Sequence, residues 1–171
     1  MPPDARRGFA RARVGHFATS DGRRPSLVPV CFVLLGDTVY HAVDAKPKSV
    51  AASRLRRVAN IRANPNAALL VDHYEEDWSR LWFSLARGRA RLIIDGVEHR
   101  RAIVALRRKY AQYRSTLPLT DDALVIALDV RQVSRWVSAG RRPRAKAAPP
   151  RARRSGSRVS QRPDRHIDRR S

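Results

Sequence analysis

Residues 14–44 read VGHFATSDGRRPSLVPVCFVLLGDTVYHAVD. Three runs rich in Val, Leu, Phe and Tyr are separated only by Asp21-Gly22 and Gly36-Asp37. These dipeptides supply hairpin turns. A parallel pair needs a crossover of a dozen or more residues, and there is no room for one here. The runs Val14–Thr19, Ser26–Leu35 and Thr38–Asp44 are therefore expected as antiparallel strands, in a meander. Consecutive hairpins exclude a doubly wound parallel sheet.

The rest of the chain extends this pattern. A short helix is expected near Asp4–Ala12. In SVAASRLRRVANIRAN, apolar Ala51, Leu55, Val58 and Ile61 follow a helical spacing, with Ser49 as a possible cap and Asn64-Pro65 as the stop. Strands are expected at Asn66–Tyr74 and Leu81–Ile94. In the second, Arg87, Arg89 and Arg91 alternate with Ala86, Gly88, Ala90 and Leu92, which assigns the small residues to an inward face. The arginines would face water, a subunit boundary or an anion. A helix near Gly96–Tyr113 carries Ile103, Leu106, Tyr110 and Tyr113 on one side. A last strand runs from Leu124 to about Val137. The order β β β α β β α β points to a mainly β chain of the α+β class, an antiparallel barrel with helices packed outside.

Charge divides the chain into two. Of 171 residues, 36 are Lys or Arg and 15 are acidic, for a formal net charge of +21. Residues 140–171 carry little that is large and apolar and are expected to be a basic, disordered tail beyond a domain of residues 1–139. Such charge suits nucleic acid or another anionic partner, and arginine-biased coding explains it equally well, since only Lys46, Lys48, Lys109 and Lys146 are lysines. No aromatics interleave the tail arginines, so any nucleic-acid contact there would be electrostatic and blind to sequence. Cys31 is the single cysteine, so no internal disulfide can form, which suits a cytoplasmic location. The longest apolar run, LVPVCFVLLG, is too short to cross a bilayer. His16 and His41 match no metal-ligand spacing, so no metal is expected.

The segment VDAKPKS places Lys46 and Lys48 between a strand and an expected helix start. Helix starts carry partial positive charge and favour acids, not lysines. A bound anion, phosphate above all, would relieve the repulsion, with the Ser49 hydroxyl assisting. Solvated lysines on a loop are the alternative. Trp78 and Trp82 bracket Arg80 and could stack on a flat ring or fill a core or interface. No catalytic acid stands out, although Tyr40, His73 and Tyr74 carry suitable groups.

The runs VGHFATSDGRRPSLVPVCFVLLGDTVYHAVDAKPKS and RLRRVANIRANPNAALLVDHYEEDWSRLWFSLARGRARL resemble the pyridoxamine-phosphate-oxidase-like split β-barrel superfamily, an FMN-binding-like fold. More narrowly, VDAKPK and LLVDHYEEDWSRLW are similar to its actinobacterial branch of coenzyme F420 (deazaflavin)-dependent enzymes. The resemblance covers residues 14 to about 138. It implies a homodimer with two cofactor sites at the subunit interface. Lys46, Lys48 and Ser49 occupy the place of the basic loop that holds the cofactor phosphate. Val28, Pro29 and Val30 occupy the strand that runs along the ring, and Trp78 and Trp82 fall where the partner subunit contributes. The Arg and Lys that pyridoxamine phosphate oxidases carry on the second strand are absent, which disfavours that reaction. The expected activity is hydride transfer between coenzyme F420 and a small unsaturated substrate. The alternatives are an FMN-dependent reductase or oxidase, or a cofactor-binding protein without turnover.

Overall fold

The computed structural model describes residues 1–43 and 55–138. Helix α1 (Pro3–Arg11) precedes strands β1 (Gly15–Ser20), β2 (Pro25–Val30), β3 (Val33–Leu35) and β4 (Thr38–Ala42). Helix α2 (Arg56–Ala63), β5 (Asn66–His73), β6 (Trp82–Ile93), α3 (Gly96–Lys109) and β7 (Val125–Val137) follow. Short 3-10 turns occupy Trp78–Arg80 and Ala111–Arg114. All strand pairs are antiparallel, in one sheet of order β2-β1-β5-β6-β7-β4-β3.

That order explains the main departure from the sequence reading. The run Ser26–Leu35 is not one strand, and the first strands do not form one meander. β2 pairs with β1 at one sheet edge, while β3 pairs with β4 at the other. Only Cys31 and Phe32 join the two edges. Three Cα steps from Val30 to Val33 reach at most about 11 Å. The sheet must therefore curl until its edges meet, which makes it a split barrel. Periodicity could not show the break, because the run is apolar throughout.

The break costs Phe32 its ladder partners, and one side chain replaces them. The Tyr110 hydroxyl accepts from the Phe32 N–H at 2.9 Å and lies 2.8 Å from the carbonyls of Phe32 and Arg13. Tyr110 is itself buried. It stands where α3 ends, its backbone already extended, so the helix expected to reach Tyr113 stops at Lys109.

Two apolar clusters fill the fold. Inside the barrel lie Phe17, Val30, Phe32, Val39, Leu69, Val71, Ala86, Ala90, Ile126 and Leu128. α1 adds Phe9, one turn from Ala5, and α2 adds Val58 and Ile61. Ala86 and Ala90 are buried while Arg87, Arg89 and Arg91 are exposed, as the alternation in β6 predicts. The second cluster lies outside, where Ala102, Ile103 and Leu106 of α3 cover Val33, Tyr40, Ala42, Val125 and Ala127. Arg91 ties the start of α3 down through Glu98 (2.6 Å) and Asp129 (2.9 Å), and Tyr40 donates to Glu98 at 2.7 Å. α3 thus covers the outer face of the β3-β4-β7 half of the sheet. None of the described helices covers the other half.

Candidate functional site: the uncovered face of the sheet

The uncovered half presents alternate residues of β2, β1, β5 and β6 and the end of β7. Register places Leu27 and Pro29 beside Ala18 and His16, then Ala68 and Leu70, then Arg87, Leu85 and Phe83, then Gln132, Ser134 and Trp136. One end of this face is apolar: Trp136, 47% exposed, stacks on Phe83 with centroids 5.9 Å apart, whereas Leu27, 66% exposed, stands in register with Ala18, Ala68 and Arg87 away from that end. The other end is a groove of about 520 Å³ lined by Arg87, Arg89 and Arg131, with Ala18, Ala68 and Gly88 among its other walls.

The site residues expected from the sequence fall in three places. Val28, Pro29 and Val30 lie on β2, an edge strand that pairs only with β1 among the described residues. An edge tolerates Pro25 and Pro29, which cannot complete a central ladder. Val30 is buried in the barrel core and Val28 packs against it, while Pro29 is exposed. Trp78 and Trp82 do not form a pair. Trp78 is 66% exposed on the loop between β5 and β6. Trp82 stacks on His73 (centroids 6.2 Å, 19°), lies 5.9 Å from the Arg135 guanidinium, and packs against α1 at Gly8, where a Cβ would come within 3.1 Å of its ring. Trp82 thus helps to seat α1. Lys46, Lys48 and Ser49 lie outside the described residues.

The three candidate proton donors differ in their surroundings. Tyr40 donates to a carboxylate already held by Arg91, and burial, then the bond to Glu98, pushes its phenol above the usual tyrosine range. It is poorly placed to give up a proton. His73 lies 3.4 Å from Glu75, which also pairs with Arg80 at 2.8 Å. Tyr74 is 64% exposed. Among the described residues no group of His, Cys, Asp and Glu could hold a metal ion, and no helix is long and apolar enough to cross a membrane.

Sequence reading missed the cluster at the seam between β2 and β3. The Lys109 ammonium sits 4.3 Å from the Phe32 ring centroid and donates to the Ala12 carbonyl at 2.7 Å. Burial, then the Arg13 charge, lowers it to about 8. The Arg13 guanidinium lies 4.6 Å above the Tyr110 ring. The scarcity of lysine marked Lys109 in the sequence, but nothing there linked it to Phe32 at a separation of 77 residues.

A curled antiparallel sheet whose edges are joined by a two-residue seam, with α3 on one half of its outer face, defines a split barrel. The chain matches the pyridoxamine 5'-phosphate oxidase family over residues 4–137 and belongs to it. No curated protein matches the chain. Among solved structures it is similar to a heme binding protein from Mycobacterium smegmatis (23% identity, 81% of this chain and 54% of that one, TM-score 0.64). It is also similar to a FAD-binding protein from Mesorhizobium loti (18%, 79% and 94%, 0.59) and to an F420 reductase (19%, 78% and 98%, 0.56). At these identities the likeness shows the fold alone.

Proposed function

We propose that the chain is a cytoplasmic oxidoreductase that binds coenzyme F420 and transfers hydride to or from a small unsaturated molecule. The observation that carries this reading is the free edge of β2. With β1 as its only described neighbour, it keeps backbone N–H and C=O groups available beside exposed Leu27 and Pro29. The pyrimidine edge of a flavin or deazaflavin needs both donors and acceptors, and its ring needs an apolar wall. Lys46, Lys48 and Ser49 would hold the cofactor phosphate. The bound deazaflavin supplies the hydride chemistry, and the protein supplies placement and exclusion of water.

The same residues fit FMN, and similarity to a FAD-binding protein supports that second reading. Similarity to a heme binding protein keeps a binding role without turnover as a third. A homodimer completes the proposal. The apolar strip of Leu70, Leu85, Phe83 and Trp136 would lie against its copy, with Trp78 beside the neighbouring cofactor.

The test is titration with coenzyme F420 and with FMN, read by tryptophan emission and calorimetry. Tighter binding of F420, weakened about tenfold by Lys48→Ala, supports the assignment. Tighter binding of FMN moves it to the flavin reading. Unchanged affinity in Lys48→Ala removes the phosphate role of the loop.

A further inference from the structure

The arginine groove has a construction that the cofactor reading does not use. β6 and β7 keep an even register from Trp82↔Val137 to Arg87↔Gln132, then shift, so that Gly88 faces Val130 and Arg131 is the extra residue of a bulge. A bulge bends its strand and re-aims a side chain. Gly88 makes this one possible: a Cβ there would lie 2.0 Å from the backbone oxygen of Asp129. The close approach brings Arg131 into the groove that Arg87 and Arg89 already line.

No acidic residue lines this groove. Asp129, opposite Arg89 in register, is taken by Arg91 (2.9 Å) and by the Thr38 hydroxyl (3.1 Å). Arg87 donates to the Ser134 hydroxyl at 2.9 Å. Arg89 and Arg131 have neither a carboxylate nor a hydrogen-bond acceptor among the described residues. Guanidinium groups gathered without counter-charges repel one another, and a shared anion removes that cost while accepting bidentate hydrogen bonds. Ser20, Asn66 and Gln132 add neutral polar groups, and Ala18, Ala67, Ala68 and Pro25 add flat apolar wall. About 520 Å³ is the size of a small-molecule site.

We propose that this groove binds an organic polyanion, a molecule with two or more phosphate or carboxylate groups on a compact apolar body. Arg89 and Arg131 take the anionic groups, Arg87 closes the side, and the alanine floor takes the body. The inference is independent of the cofactor assignment, because it uses none of the residues placed there.

The test uses the full chain without redox cofactor and two probes, pyrophosphate and citrate, by calorimetry at near-physiological salt. The expected result is a Kd of about 1 mM or below for at least one probe, weakened about tenfold by each of Arg89→Gln and Arg131→Gln. Whichever probe binds more tightly shows whether the natural ligand offers phosphates or carboxylates. The control, Arg100→Gln with Arg108→Gln on the exposed side of α3, removes two charges elsewhere, one more than either groove variant, and should leave binding intact. Far-ultraviolet circular dichroism establishes that each variant is folded. Binding of neither probe, or equal weakening in the control, overturns the proposal. So does dissociation of a dimer by Arg89→Gln or Arg131→Gln with no effect on anion affinity, which would make the groove a seat for a second copy.

Discussion

Replacing Tyr110 with Phe removes one oxygen atom from the seam of the barrel and leaves the ring in place. That oxygen accepts from the Phe32 N–H at 2.9 Å and reaches the Phe32 and Arg13 carbonyls at 2.8 Å. Phe32 is fully buried, so water cannot replace the lost partner without opening the seam. An unpaired buried polar group costs about 1–3 kcal/mol. The N–H loses its partner outright and the carbonyls lose a donor, so the expected loss is about 2–4 kcal/mol. For a folded region of this size, that lowers Tm by about 6–12 °C. Urea unfolding should show a lower midpoint at unchanged slope. Tyr74→Phe, at an exposed position, should change stability by no more than about 0.5 kcal/mol. If Tyr110→Phe proves as mild as Tyr74→Phe, then the phenol does not hold the strand break, and the account of how the two sheet edges stay joined is wrong.

Other outcomes follow from the same contacts. The Lys109 ammonium is held at about 8, below its unfolded value of 10.5, so the unfolded chain binds more protons between those values. Stability should therefore rise with pH from 8 to 10.5, and Lys109→Met should flatten that part of a urea-midpoint profile. Arg91 holds the Glu98 carboxyl down to about 2, with Tyr40 assisting, against an ordinary 4.5. Its contribution is complete above 4.5 and is lost as pH falls towards 2, so Glu98→Gln should destabilise at pH 7 and converge with the parent near pH 2, as thermal melts will show. Gly88→Ala must displace the β7 backbone and should cost about 3 kcal/mol in urea unfolding. Removal of residues 140–171 should leave cofactor affinity unchanged in the same titration used for Lys48→Ala.

Much of the fold was legible because local signals and tertiary structure agree. The small-residue face of β6, the stop at Asn64-Pro65 and the buried stripe of α3 all follow from periodicity and turn chemistry. The sequence hid the events that depend on distant residues. The break at Cys31-Phe32 arises because residues on its two sides join opposite sheet edges, and its stabilising partner lies 78 residues away. The bulge at Arg131 depends on Gly88, and that glycine looked like one more small inward residue in an alternating strand. At the candidate site, spacing placed Trp78 and Trp82 on either side of Arg80, but it could not show that Trp78 stands on an exposed loop while Trp82 packs against His73 and α1, because those neighbours are distant in sequence or set by the turn.

The strand order also bears on how the chain reaches this state during synthesis. β7 lies between β6 and β4 and hydrogen-bonds to both, yet it is the last of the described strands to be made. Until residue 137 has left the ribosome, β3 and β4 have no sheet to join, and the rim of β6 stays open to other nascent chains. The central staple of the barrel thus arrives after nearly everything it fastens, and the interval before it docks is when the protein is most exposed to mispairing.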